Sequence, residues 1–197
     1  LGITNIDYLQ SDLLDAAALD RQFDVIESVG VLHHMADPIC GWRVLTNLLK
    51  KSGLMRIGLY SALARQHIVK AKKIINEKEN TSDKEGMLRF RRQIIEQNYS
   101  ELNLLKTSPD FYSSSTLRDL LFHVQEQHFT IPKIKDILKE LNLSFMGFEF
   151  PYRNTIDDFK TLYPEEGAIY DLVNWHEYEI SNPRLFASMY QFWAQKL

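Results

Sequence analysis

The sequence predicts an α/β domain organised on a parallel sheet, and three features predict it. Phe23 to Val31 is an apolar run interrupted by Asp24, Glu27 and Ser28, which suits a strand buried on both faces. Asp37-Pro38 then sets a helix N-cap before a proline at the first helical position, and Trp42, Leu45, Leu48 and Leu49 follow at helical spacing. Leu54 to Tyr60 is a second strand with few polar residues. Strand, helix, strand with short links makes the two strands parallel neighbours joined by a right-handed crossover. Ligands of such sheets bind beyond the carboxyl ends of the strands.

The bulk numbers narrow the classes. A chain of 197 residues fits one domain with room for a capping subdomain, and 45% hydrophobic residues supply a sizeable core. A net charge of −3 argues against a nucleic-acid surface, which needs excess Lys and Arg to neutralise phosphates. Cys40 is the single cysteine, so no internal disulfide forms. One thiol and no signal-peptide pattern suit a reducing cytoplasm. No apolar run approaches the roughly 20 residues that span a bilayer, so no membrane association is expected. The first residue is Leu, which leads to the expectation that the chain starts inside a longer product.

The remaining elements follow in order. Ile3 to Gln10 alternates as a short strand ended by Ser11-Asp12, and Asp15 to Asp20 is a short alanine-rich segment, helical or loop. Lys50-Lys51 places positive charge in the last turn of the first helix, and Gly53 is positioned to take a left-handed cap. Residues 65–92 carry nine Lys or Arg against four Asp or Glu. This stretch reads as a solvated helical cap or as a lid that attracts an acidic substrate or partner. Ser82-Asp83-Lys84-Glu85 has the form of a capping box, which divides the stretch into two helices with a break near Asn80-Thr81. Ile131 to Leu141 is an amphipathic helix, Leu143 to Phe150 a strand, Thr155 to Tyr163 and Ile169 to Glu179 helices, and Ala187 to Lys196 a last strand. On this reading residues 1–61 and 131–197 form the α/β unit, and residues 62–130 are a helical cap inserted on its substrate side.

The strand ends bring Asp12, Ser28 to His34 and Tyr60-Ser61 to one crevice. His33-His34 is the sharpest local feature. Adjacent residues past a strand point to opposite sides, so at most one of the pair is expected to face the crevice while the other packs or caps. Asp12 is a turn-former or a ligand-binding acid at the same end. Asp110 to Thr130 is rich in functional side chains, among them Tyr112, Arg118, Asp119, His123, Glu126 and His128. His123 and His128 are five apart, about 140° around a helix, which is poor metal-ligand spacing. No metal is expected; a polar cluster lining a substrate pocket is the better reading. Cys40, early in a helix without a catalytic partner pattern, reads as buried and inert. No Gly-x-Ser-x-Gly, phosphate-binding glycine loop or paired-carboxylate spacing is present.

At Asp12, at Phe23 to Ile26 through Gly30-Val31-Leu32-His33-His34, and at Asp37-Pro38, the sequence resembles the class I S-adenosylmethionine (SAM) dependent methyltransferases. More narrowly it resembles a bacterial subgroup often fused to tetratricopeptide repeats. Gly53 to Ser61 and Asp110-Phe111-Tyr112 through Phe122 to Glu126 carry that narrower likeness. The resemblance implies a Rossmann-like sheet of seven strands ordered 3-2-1-4-5-7-6, the last antiparallel, of which this chain holds strands three to seven with a helical cap. Ile6 to Gln10 is then strand three, Phe23 to Val29 four, Leu54 to Tyr60 five, Leu143 to Phe150 six and Ala187 to Lys196 seven.

The resemblance also implies site residues. Asp12, with Leu13 beside it, would accept from the adenine amino group, and Ser28, Val29 and Gly30 would lie along the methionine part of SAM. His33 or His34 would sit near the transferred methyl as the base. Tyr60, Tyr112, Arg118, His123 and Glu126 would meet an unidentified small-molecule or protein acceptor. The glycine-rich loop after strand one and the ribose-binding acid after strand two would precede Leu1. The cofactor site is therefore expected to be incomplete in this chain, and SAM binding by it alone weak. Ile6 to Gln10 is expected to swing from its family position or to pair with another chain, in one case a homodimer through the exposed sheet edge. Two rivals stand beside this reading: a non-catalytic module that keeps the fold, and a nicotinamide-dependent oxidoreductase, for which Leu-His-His followed by Asp-Pro is not characteristic.

Overall fold

The computed structural model describes residues 4–77, 82–97, 99–122 and 125–197. Among these the regular elements, in order, are β1 (Phe23–Val29), α1 (Pro38–Leu48), β2 (Leu49–Leu59), α2 (Gln66–Glu77), α3 (Lys84–Glu96), α4 (Ser114–Leu121), α5 (Ile131–Glu140), β3 (Leu143–Phe148), α6 (Asn154–Leu162), α7 (Leu172–Ser181) and β4 (Tyr190–Lys196). Short 3₁₀ turns fill several links. The sheet order is β1-β2-β4-β3. β1 and β2 are parallel, and β4 runs antiparallel to both β2 and β3. This is the four-five-seven-six order with an antiparallel last strand.

The crossover between β1 and β2 begins at a well-made cap. Asp37 Oδ1 accepts from the Ile39 and Cys40 amides, both at 3.0 Å, and Pro38 occupies the first turn, where its missing donor matters least. Asp37→Ala should lower the free energy of urea unfolding by about 1 kcal/mol, the ordinary worth of such a cap.

Pleat alternation then sorts the sheet. Met55, Ile57 and Leu59 of β2 and Tyr190, Phe192 and Ala194 of β4 are buried together with residues of α1, α5 and α7. Trp175 of α7 anchors this side, stacked on Phe159 at 3.7 Å and edge-on to Phe148 at 5.3 Å. The alternate residues form a polar face. There Arg56 donates to Glu149 at 2.7 Å and to Gln191 at 2.8 Å, with Glu27 at 3.5 Å. A second hydrophobic cluster lies within residues 68–121, with Ile68, Phe90, Leu105, Phe111 and Leu117 at its centre. No helix among the described residues is long and apolar enough to cross a membrane.

Several local expectations are corrected. Ile6 to Gln10 forms no strand and lies exposed, because no partner edge stands beside it. β1 is not buried on both faces. It is an edge strand with Val25 50% exposed, since only β2 pairs with it and its outer face carries no helix. Lys50 and Lys51 belong to β2 rather than to the end of α1, and Lys50 reaches the Asp24 carboxylate at 2.8 Å. Ser52, not Gly53, takes the left-handed conformation, at φ 61°. Gly53 is required for another reason: a Cβ there would lie 2.9 Å from the Leu49 side chain and the Lys50 carbonyl. Asp83, not Ser82, caps α3, accepting from the Gly86 amide at 2.8 Å. Cys40 is exposed, because Gly41, Trp42 and Leu45 take the inward side of α1 and position 40 turns away from it.

Candidate functional site

The site is built where β1 and β2 end. After Val29 the chain turns at Gly30, whose φ of 78° favours glycine, and no atom lies within 4 Å of where a Cβ would stand. The 3₁₀ turn Leu32–His34 then sets both histidines behind the strand. Rather than diverging, the two rings touch, with centroids 4.3 Å apart at 63°. The His33 ring is 0% exposed and lies 3.8 Å from the Tyr60 ring at 31°, while His34 meets Tyr60 edge-on at 5.9 Å. Tyr60 is the first residue past β2, so parallel pairing of the strands brings the three rings together.

A short strap, residues 125–129, locks this arrangement through backbone bonds. The Gln127 amide donates to the His33 carbonyl at 2.8 Å, and the Phe129 amide donates to the Tyr60 carbonyl at 2.8 Å. Ala62 returns a bond to the Phe129 carbonyl at 2.7 Å, and Gln127 Nε2 donates to the Ala36 carbonyl at 2.8 Å. His34 Nδ1 lies 3.3 Å from the Gln125 carbonyl. A carbonyl only accepts, so Nδ1 is the donor in this contact.

Electrostatics centre on Glu126, whose side chain is 2% exposed. Its carboxylate receives Arg65 Nε at 2.9 Å, His128 Nε2 at 2.6 Å and Lys72 Nζ at 3.3 Å. Burial by itself would raise the carboxyl pKa; the His128 hydrogen bond and the Arg65 and Lys72 charges outweigh it and bring the value down to about 2. The Arg65 guanidinium lies 3.7 Å from the Tyr60 ring centroid, a cation–π contact. Burial pushes the Tyr60 phenol up, and Arg65 opposes this. Burial, followed by the charge of His34, lowers His33 to about 4, so His33 is neutral at pH 7. Neither of its ring nitrogens has a partner at hydrogen-bond geometry, with only a weak pull from the Gly58 backbone, and Ser28 Oγ, buried in β1, has no partner either.

A cavity of about 580 Å³ opens beside the stack, lined by Tyr60, Arg65, His67, Asp110, Asp119 and Arg184 among others. Of the acceptor residues expected from sequence, Tyr60 lines it. Tyr112 is 57% exposed and its hydroxyl donates to the Lys106 carbonyl, while Arg118 is exposed and bonds the Ser82 carbonyl. Glu126 is engaged with the cations described above. His123 lies outside the described residues. On the cofactor side, Asp12 is exposed and Oδ1 accepts from the Leu14 amide at 2.8 Å. Leu13 and Met35 both pack against Gly41 early in α1, on the side where β1 ends. Arg65 and the strap were missed in the sequence. The available signal was an arginine four residues past Ser61, within a run read only for its net charge.

The fold has known counterparts. The protein PKMT2 from Rickettsia typhi superposes with a TM-score of 0.63 at 13% identity, covering 91% of this chain and 37% of that one. PKMT2 in complex with AdoHcy gives 0.62 at 14% identity, covering 93% and 37%. The chain therefore shares the fold of PKMT2 over most of its length. An uncharacterised protein of Synechococcus sp. is 28% identical over 150 residues, 73% of this chain and 36% of that protein. The chain thus spans little more than a third of the length of these relatives. No protein-family model matches it.

Proposed function

We propose that the protein is a SAM-dependent methyltransferase, and that these residues supply the acceptor side of its site and part of the cofactor side. The observation that supports this most is the packing of His33, His34 and Tyr60 at the carboxyl ends of β1 and β2 in a sheet of this fold. The residues fit the cofactor. Gly30 leaves open space at its α-carbon, and Ser28 carries a buried hydroxyl without a partner. Ser28, Val29 and Gly30 would hold the methionine part, and Asp12 with Leu13 the adenine. When bound, SAM supplies a methyl group on a sulfonium, an electrophile with a good leaving group.

The chain's own residues then have three tasks. His34 Nε2 takes the proton from an acceptor hydroxyl or amine, with Nδ1–H held on the Gln125 carbonyl. His33, kept neutral by burial, packs between His34 and Tyr60 and holds both rings in place. Tyr60 and Arg65 wall the cavity through which the acceptor enters and keep water from the reacting atoms. Residues 62–130 serve as the cap on that side. A cavity of about 580 Å³ suits a small molecule or the tip of a protein side chain.

Calorimetric titration of the full-length protein with AdoHcy, together with radiolabelled methyl transfer, tests this. Micromolar binding is expected, weakened about tenfold by Asp12→Ala. His34→Ala should leave AdoHcy binding unchanged and slow transfer by about 10²-fold. Absence of binding in the full-length protein overturns the proposal; binding without turnover on hydroxyl and amine acceptors points to the non-catalytic module.

A further inference from the structure

We infer that Glu126 is a positioning residue: through Arg65 it holds the Tyr60 ring against His33 and so sets the geometry of the aromatic stack at the strand ends. The contacts are continuous. Glu126 fixes Arg65 Nε at 2.9 Å, the Arg65 guanidinium lies 3.7 Å from the Tyr60 ring centroid, and that ring lies 3.8 Å from His33. Arg65 and Glu126 are both buried, at 7% and 2% side-chain exposure, so their pairing is little screened by solvent.

Geometry and charge agree. A buried guanidinium without a carboxylate would leave its site, since unpaired buried charge is strongly disfavoured. Lys72 and His128 face Glu126 as well, so among the described residues its carboxylate gathers three cationic or cation-capable groups on one side of the site. The groups whose charge reaches Tyr60 are Arg65, Glu126, Asp110 and Asp119; those reaching His33 are His34, Glu126 and Arg65. In both sets Glu126 and Arg65 act with opposite sign.

Glu126 also sits on the strap that binds the His33 and Tyr60 carbonyls through Gln127 and Phe129. A purely structural clasp would use the same bonds. The two roles separate in what they do to the rings. A clasp contributes stability, whereas a positioning residue determines where the Tyr60 ring current falls on His33.

Proton NMR of the His33 ring reads this directly, with the resonance assigned by its loss in His33→Phe. In the wild-type protein the His33 ring protons are displaced by the Tyr60 ring current. In Glu126→Gln at least half of that displacement should vanish and the His33 titration midpoint should fall, because the Glu126 carboxylate that raises it is gone. Arg65→Gln should also relax the stack but move the midpoint upward. Glu126→Asp should retain most of the wild-type signature. The kinetic arm rests on the proposed methyl transfer: kcat falls about tenfold in Glu126→Gln with KM within about twofold. Unchanged ring shift and midpoint in Glu126→Gln, with only thermal stability reduced, overturns the inference. Should Glu126→Gln fail to fold, Arg65→Gln decides by the same two readouts. Absence of methyl transfer sinks the functional reading and leaves the ring measurements to decide this one.

Discussion

Replacing Glu179 by alanine will lower the unfolding free energy by about 4 kcal/mol, while replacing it by glutamine will change it by less than about 1 kcal/mol. The difference comes from two hydroxyls. Glu179 Oε1 accepts from Ser61 Oγ at 2.7 Å and from Tyr190 Oη at 2.6 Å, and Ser61 Oγ in turn accepts from the Ala64 amide at 3.1 Å. Ser61 and Tyr190 are wholly buried and Glu179 nearly so. Alanine strands both donors away from water, each worth about 1–3 kcal/mol, and adds a cavity. Glutamine presents a carbonyl oxygen at the same position and carries no charge.

The charge also matters. Burial raises the Glu179 carboxyl pKa, against the pull of the bonds from Tyr190 and Ser61. A carboxyl raised in the folded state contributes fully below its unfolded pKa, and the contribution fades as pH rises through the folded value. Glu179→Gln escapes that loss, so it should gain on the wild type as pH rises above the ordinary carboxyl value in urea unfolding. Because Ser61 follows Tyr60, alanine at 179 should also loosen the ring stack. An alanine variant as stable as the wild type would remove this cluster from the account.

Legibility in the sequence followed the range of the interactions. β1, α1 and β2 were readable because apolar runs, an Asp-Pro cap and helical spacing are local patterns. The order of the later strands came from resemblance, since periodicity does not state which strand pairs with which. The Arg65–Glu126 pair joins residues 61 apart and leaves no local trace. The strap is less visible still, because its bonds to His33 and Tyr60 are made by backbone atoms that every residue carries. Ser82 and Asp83 are both good caps, and only the path of the chain chose Asp83. Burial was misread wherever a neighbour was assumed: Val25 and Ile6 to Gln10 are apolar enough for a sheet interior, yet here they meet no second layer. For His33 and His34, sequence located the pair, and the 3₁₀ turn set by Gly30 brought both rings to one place.

His33→Phe should separate stability from function and remove much of the acid sensitivity of the fold. His33 is buried, with both nitrogens unpartnered and its pKa lowered by that burial from 6.5 to about 4. Between those values the unfolded chain binds a proton that the folded one refuses, so stability falls as pH drops from 6.5 to 4. The full effect is about 3 kcal/mol, at most about 1.4 kcal/mol per pH unit. Phenylalanine keeps a flat ring against Tyr60 and removes two polar atoms that have no partner, a change that is neutral or stabilising in a buried site. The variant should match the wild type within about 1 kcal/mol at pH 7.5 and exceed it by about 2 kcal/mol at pH 4.5 in urea unfolding. Parallel pH profiles for the two proteins would show that His33 is not the group concerned. In the proposed function His33 only packs between His34 and Tyr60, so the same variant should keep most of the proposed methyl transfer while gaining acid resistance.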